Sequence, residues 1–162
     1  MLGLKNKKMQ VIFVKTALVL IFAYIIGSVP FALIVGRLAG GVDVRNYGSG
    51  NLGGTNAFRV LGWKVGIPVI LADILKGSLA TYLGLRLGGE TVGILAGLTA
   101  AIGHCYPLFA GFKGGKGVAV GAGVYFVLAP KVIILATIMF VLTLVISRYV
   151  SLSSMVGALT VG

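Results

Sequence analysis

A chain of 162 residues that is 58% hydrophobic and only 10% charged cannot hide its apolar surface in a water-soluble globule of that size, so it reads as an integral membrane protein. Its 14 Lys and Arg against 3 acidic residues give a net charge of +11, gathered in short segments between apolar runs; this points to anionic headgroups or a phosphorylated substrate and not to nucleic acid. One cysteine (Cys105) and one histidine (His104) exclude an internal disulfide framework and a multi-histidine or Cys-rich metal site, and Asp43, Asp73 and Glu90 leave little for a bound divalent ion, so neither metal nor cofactor is expected.

Residues 1–8 carry Lys5, Lys7 and Lys8 and read either as the true beginning or as an extra leader ahead of a start at Met9. The apolar run at 11–35, interrupted by Lys15, is long enough to span a bilayer. Within it Gly27-Ser28-Val29-Pro30 reads as a kink whose freed backbone groups the Ser28 hydroxyl takes up, or as a piece of a site shared with Arg37. Further runs follow at 63–85, carrying Lys64, Asp73 and Lys76, and at 91–110, holding His104 near its end. Asp73 and Lys76, three apart on one helical face, read as an ion pair inside the membrane. The run at 117–130 has 14 residues and predicts a short, tilted or re-entrant helix; runs at 132–147 and 149–162 complete the chain. The expected fold is a single all-α bundle of about six transmembrane helices, without a repeat or a soluble domain.

Alternating helices put the segments 37–62, 111–116 and 148–154 on one face, together with Arg37, Arg45, Arg59, Lys64, Lys113, Lys116 and Arg148. The opposite loops hold Arg86, balanced by Glu90, and Lys131. The positive-inside rule assigns the first face to the cytoplasm, although Lys5, Lys7 and Lys8 then fall on the other side.

Two glycine-rich segments on that face carry the chemistry. In Gly48-Ser49-Gly50-Asn51-Leu52-Gly53-Gly54-Thr55-Asn56 the glycines allow tight turns that present backbone N–H groups to an anion. Ser49, Asn51, Thr55 and Asn56 add donors, and Arg59 can fork onto phosphate oxygens. In Phe112-Lys113-Gly114-Gly115-Lys116-Gly117 two lysines among glycines at a helix start form a second phosphate cradle. Neither segment is a Walker loop, since no Gly-Lys-Ser/Thr occurs, and nucleotide hydrolysis is not expected. His104 reads as an acid/base or as a hydrogen-bonded structural histidine at a helix end; Cys105 reads as a packing residue.

The order Gly-Ser-x-Pro, Gly-Ser-Gly-Asn-x-Gly-x-Thr-Asn-x-x-Arg, Asp-x-x-Lys-Gly, Gly-His-x-x-Pro-x-Phe-x-x-Phe-Lys-Gly-Gly-Lys-Gly and Ser-Leu-x-Ser, from about Phe22 to the end, resembles the bacterial membrane glycerol-3-phosphate acyltransferases that use acyl-phosphate donors. The resemblance implies transfer of a fatty acyl group from acyl phosphate to the sn-1 hydroxyl of glycerol 3-phosphate, the first step of phospholipid synthesis. It also implies a seven-helix bundle in the bacterial inner membrane, an active site facing the cytoplasm, membrane lipids as surroundings and a functional link to the enzyme that makes acyl phosphate. The expected catalytic residues are Ser49, Arg59, Lys116 and His104. The expected substrate- and phosphate-binding residues are Ser28, Arg37, Gly48, Gly50, Asn51, Gly53, Thr55, Asn56, Lys113, Gly114, Gly115, Gly117, Ser151 and Ser154.

Three departures stand out. Gly54 replaces the usual alanine, a change expected to be harmless, and Val120 replaces a common threonine. The family continues through a seventh helix to an Arg-His-x-x-Asn segment whose His and Asn belong to its site, so this chain is expected to be C-terminally incomplete and, alone, inactive. No Ser-His-Asp arrangement and no His-x-x-x-x-Asp motif is present, which leaves a substrate phosphate oxygen as the expected base. The rival reading is a transporter or channel for phosphorylated metabolites, whose inverted repeats are not found; a third is a lipid-binding membrane subunit without activity.

Overall fold

A backbone in lipid must satisfy its own N–H and C=O groups, and every apolar run here folds as helix; the described residues contain no strand. The computed structural model describes residues 2–161, and of residues 2–5 and 8 the main chain alone. Stretches long and apolar enough to cross a membrane are Met9–Gly40, Trp63–Ala110 and Pro130–Ser147, with mean hydropathies of 2.6, 1.5 and 2.3. Large side chains such as Ile12, Phe13 and Leu18 stand 65%, 74% and 61% exposed, which suits lipid and not water. The chain divides into two units, Met1–Val124 and Tyr125–Gly162.

In the first unit, the run at 11–35 folds as two helices: α1 covers Leu2–Gly27 and α2 covers Phe31–Gly40. Pro30 lacks an N–H and disfavours helical backbone at Val29, so the ladder stops there. The expectation that the Ser28 hydroxyl would take up a freed backbone group is corrected. Ser28 Oγ is fully buried with no hydrogen-bond partner among the described residues, and Lys76 Nζ donates to the Val29 carbonyl instead, at 3.0 Å.

After α2 a 3-10 turn, Val44–Asn46, leads through a loop to the short helix α3, Gly54–Leu61. Helix α4, Trp63–Cys105, is bent back on itself at Gly89, whose φ of 79° is left-handed backbone open to glycine and costly for other residues. Its two limbs form an antiparallel hairpin, with Gly84 against Gly93 and Thr81 against Gly97. Small residues let α1 lie directly on the second limb: a methyl on Gly27 would strike the Ala100 backbone and one on Gly103 would strike the Tyr24 carbonyl. Helix α5, Val118–Leu128, is the short helix expected from its run. It meets the first limb through Gly123 at Ile74 and through Val120 at Gly77. Val120 is fully buried in the apolar cluster with Val19, Ala23, Ala80, Val92, Ala96 and Ala100, where a hydroxyl would need a partner. A second apolar cluster, including Ala32, Leu33, Val44, Leu52, Ala57 and Val69, lies under the loop and α3.

In the second unit, α6 (Pro130–Ser147) opens with Pro130 in its first turn and closes at Arg148 in the left-handed region. It packs against α7 (Val150–Val161), where Gly157 faces the Ala136 carbonyl and Phe140.

Candidate active site

The loop between α2 and α3 is built around one carboxylate. Asp43 accepts Arg45 N at 3.1 Å and is forked by the Arg45 guanidinium, Nε to Oδ1 at 2.9 Å and Nη2 to Oδ2 at 2.6 Å. Arg37, on the last turn of α2, adds Nη2 to Oδ2 at 3.3 Å. The hydrogen bond from Arg45 is the main reason the Asp43 carboxyl is held well below the usual carboxylate range, and Asp43 in turn raises Arg45. Part of the Arg37 charge, expected on phosphate, is therefore engaged by Asp43, although its side chain stays 59% exposed.

Past this clamp Gly48 and Gly50 adopt φ of 60° and 68°. Asn56, fully buried, takes the Ser49 N–H on Oδ1 at 2.9 Å and donates Nδ2 to the Val44 and Tyr47 carbonyls at 3.0 and 3.2 Å. Asn51 Oδ1 accepts Gly53 N at 2.9 Å. The whole Asn56 amide and the Asn51 side-chain oxygen are thus engaged in the shape of the loop. Ser49, Thr55 and Arg59 are exposed, and the hydrogen bonds among described residues include none from their side chains. Ile70 fills the space where a methyl on Gly54 would sit, so glycine suits this packing.

The second glycine segment leaves the end of α4 through Pro107 and a 3-10 turn, Leu108–Ala110. Gly115 N donates to the His104 carbonyl at 3.0 Å, and Leu52 N donates to the Gly114 carbonyl at 3.3 Å. The two glycine loops, read as one site from the sequence, are therefore stitched main chain to main chain. Gly114 and Gly115 are needed by close approach: a methyl on the first would strike the His104 carbonyl and Pro107, and on the second the ring Nε2 of His104. Lys113 and Lys116 are exposed, and the ion pairs among described residues do not include them or Arg59. Gly117, with φ of 77°, leads into α5.

Beneath the loops lies a buried charged cluster. Lys76 Nζ is 2.9 Å from Asp73 Oδ1, the ion pair expected from the sequence, and His104 Nδ1 is 3.5 Å from the same oxygen. Neither Asp73 oxygen accepts a directed hydrogen bond among the described residues. Ser28 lies at the same level, its N 3.0 Å from where a methyl on Gly103 would be.

Ser49, Gly48, Gly50, Asn51, Gly53, Thr55, Asn56, Lys113, Gly114, Gly115 and His104 thus belong to two joined loops and the helix end that seats them, with Arg59 on α3 and Lys116 and Gly117 at the foot of α5. Ser151 and Ser154 are on α7 of the second unit; Ser151 is exposed and Ser154 Oγ bonds the Val150 carbonyl at 2.9 Å. The sequence reading missed the Asp43 clamp and the His104–Asp73 contact. An Asp-x-Arg at 43–45 hinted at the first; the second joins residues 31 apart and left no local trace. Among the described residues no group of three His, Cys, Asp or Glu is placed to hold a metal ion. What the site offers is the exposed side chains of Ser49, Thr55, Arg59, Lys113 and Lys116, the three cations without a carboxylate partner among the described residues, a setting for oxyanions.

A family model described as glycerol-3-phosphate acyltransferase matches residues 17–162. A glycerol-3-phosphate acyltransferase of Bacillus cytotoxicus is 54% identical over 144 residues, covering 89% of this chain and 73% of the relative. One from Geobacillus kaustophilus is 51% identical over the same coverage, 89% and 73%. The crystal structure of PlsY, an integral membrane glycerol 3-phosphate acyltransferase, in its glycerol 3-phosphate form superposes with a TM-score of 0.86 at 40% identity, covering 90% of this chain and 74% of that one. Its lysophosphatidic acid form gives 0.84 at 38% identity, covering 90% and 73%.

Proposed function

The chain belongs to the glycerol-3-phosphate acyltransferase family, and we propose that it moves a fatty acyl group from acyl phosphate to the sn-1 hydroxyl of glycerol 3-phosphate in the bacterial cytoplasmic membrane, with the glycine loops on the cytoplasmic side. The observation that supports this reading is the Leu52–Gly114 bond, which joins the two glycine loops beside which Arg59, Lys113 and Lys116 have no carboxylate partner among the described residues. Both substrates are phosphate anions, and the acyl tail of the donor is at home in the surrounding lipid.

Acyl phosphate is a mixed anhydride, so positioning and charge stabilisation can supply much of the rate. The sn-1 hydroxyl attacks the acyl carbonyl and a new C–O bond forms. Its proton passes to a phosphate oxygen, the bond from carbon to the phosphate oxygen breaks, and inorganic phosphate leaves. In this scheme Arg59 forks onto phosphate, Lys116 and Lys113 neutralise it, and Ser49, Thr55 and loop N–H groups orient it. Asn56 and Asn51 hold the loop that does so, and Ser28 belongs to the same proposed set.

The test is formation of lysophosphatidate by the purified full-length protein from glycerol 3-phosphate and acyl phosphate, set beside acyl-coenzyme A and acyl carrier protein as donors. Product from acyl phosphate alone is expected. Product from acyl-coenzyme A alone would overturn the donor assignment, and no product from any donor would leave the transporter reading standing. A covalent acyl group trapped on Ser49 would sink the phosphate-as-base scheme.

A further inference from the structure

The titratable side chains buried among the described residues are Asp73, Lys76 and His104, at 1%, 3% and 5% exposure, and they touch one another. A buried ion pair is weak evidence for stability, because apolar residues of similar volume serve as well or better. Inside a membrane such groups usually serve function or pairing. The position of this cluster is what separates the two.

Each member ends on a joint of the site. Lys76 donates to Val29, the carbonyl freed by the break before Pro30. His104 presents Nδ1 to Asp73 and Nε2 to the backbone of Gly115, so its ring stands between the carboxylate and the second glycine loop. The same residue's carbonyl takes the Gly115 N–H, and Gly114 takes the Leu52 N–H. A rotation of the His104 ring therefore has to displace Gly115, and with it Lys113, Lys116 and the link to the first loop. Nδ1 faces, at 3.5 Å, a carboxylate oxygen supplied by the other limb of α4.

We infer that Asp73 is a positioning residue: its Oδ1, standing 3.5 Å from His104 Nδ1, holds in place the ring that seats Gly114 and Gly115, and so sets where Lys113 and Lys116 meet phosphate. Its kinetic consequence rests on the acyltransferase reading; its mechanical consequence does not.

Two double variants of the full-length protein in detergent separate an acceptor at 73 from mere charge pairing. Asp73→Asn with Lys76→Met is neutral and keeps an acceptor oxygen facing His104; Asp73→Leu with Lys76→Met is neutral and lacks one. The expected result is a glycerol 3-phosphate KM within about threefold of wild type for the first, and raised tenfold or more for the second with a smaller change in kcat. Tryptic cleavage after Lys113 and Lys116 should quicken about tenfold in the second double alone, with cleavage after Lys131 unchanged. His104→Phe, which keeps the Asp73–Lys76 pair and a ring but removes Nδ1, should repeat the second pattern and stands in if the leucine double does not fold. Identical behaviour of the two doubles, or a wild-type KM and cleavage rate in His104→Phe, would overturn the inference. Should wild-type protein make no lysophosphatidate, the acyltransferase reading fails and the tryptic comparison still decides the positioning.

Discussion

Asn56 and Ser49 are joined across a closed turn: the Asn56 side chain, fully buried, takes the Ser49 N–H at 2.9 Å while its own amide donates to the Val44 and Tyr47 carbonyls. One side chain therefore satisfies three main-chain groups and leaves the Ser49 hydroxyl pointing to no protein partner among the described residues. An unsatisfied buried polar group costs about 1–3 kcal/mol. Asn56→Ala removes all three bonds, leaving the Ser49 N–H without its acceptor and the Val44 and Tyr47 carbonyls with only the Tyr47 and Gly50 N–H groups, and we expect at least a hundredfold loss of acyltransferase kcat/KM. Asn56→Asp keeps the acceptor but turns the donor into an oxygen facing two carbonyls, and should be no better. Wild-type turnover in either variant would show that the turn does not depend on this amide.

Glycines 115 and 121 give a paired test of close approach. A methyl on Gly115 collides with the His104 ring, whereas one on Gly121 meets no atom within 4 Å on helical backbone. Gly115→Ala should raise the glycerol 3-phosphate KM tenfold or more. Gly121→Ala should leave kinetics unchanged and, by helix propensity, add about 0.5–1 kcal/mol of stability. Both are read by steady-state kinetics beside thermal unfolding in detergent.

Arginine at 59 is expected to act through its fork and not only its charge. Arg59→Lys preserves the charge and removes bidentate geometry, so a large loss of activity with the fold retained is expected, and Lys116→Ala should be as damaging. Arg86, which bonds the Tyr82 hydroxyl at 3.0 Å, serves as the control, and Arg86→Ala should leave turnover intact. Full activity in Arg59→Lys would remove the guanidinium from the phosphate site.

The Asp43 clamp sets the acid side of loop stability. Its carboxyl ordinarily titrates near 3.8 and is held well below that, first by the Arg45 hydrogen bond. A depressed carboxylate contributes stability that is fully present above the ordinary value and is lost as pH falls through the lowered one. Hydrogen-exchange protection of the 44–53 segment, corrected for intrinsic rates, should therefore be level from pH 8 to about 5 and decline only below about 4. Asp43→Asn, with the charge gone, should show weaker protection throughout and no such decline. A decline beginning near neutrality would assign the clamp to another group.

Much of this protein is legible along the chain. Apolar runs locate the helices because lipid offers the backbone no hydrogen bonds, and Pro30 marks where the first of those runs breaks. Glycine spacing with interspersed donors marks both anion-facing loops, since turn geometry is written in neighbouring residues. The reading went astray where one polar group had a choice of partners. The Ser28 hydroxyl was offered a local role and finds no partner among the described residues, while Lys76, 47 residues beyond Val29, takes the freed carbonyl. Asn56 and Arg37 looked like ligands for phosphate, but the first is consumed within its own loop and the second is shared with Asp43. That His104 stands between Asp73 and Gly115 was decided by the tertiary structure, because small residues such as Gly27 and Gly103 let helices approach until distant side chains met. Periodicity and local composition record what a residue is able to bond; which partner it finds is settled by packing between segments far apart in the chain.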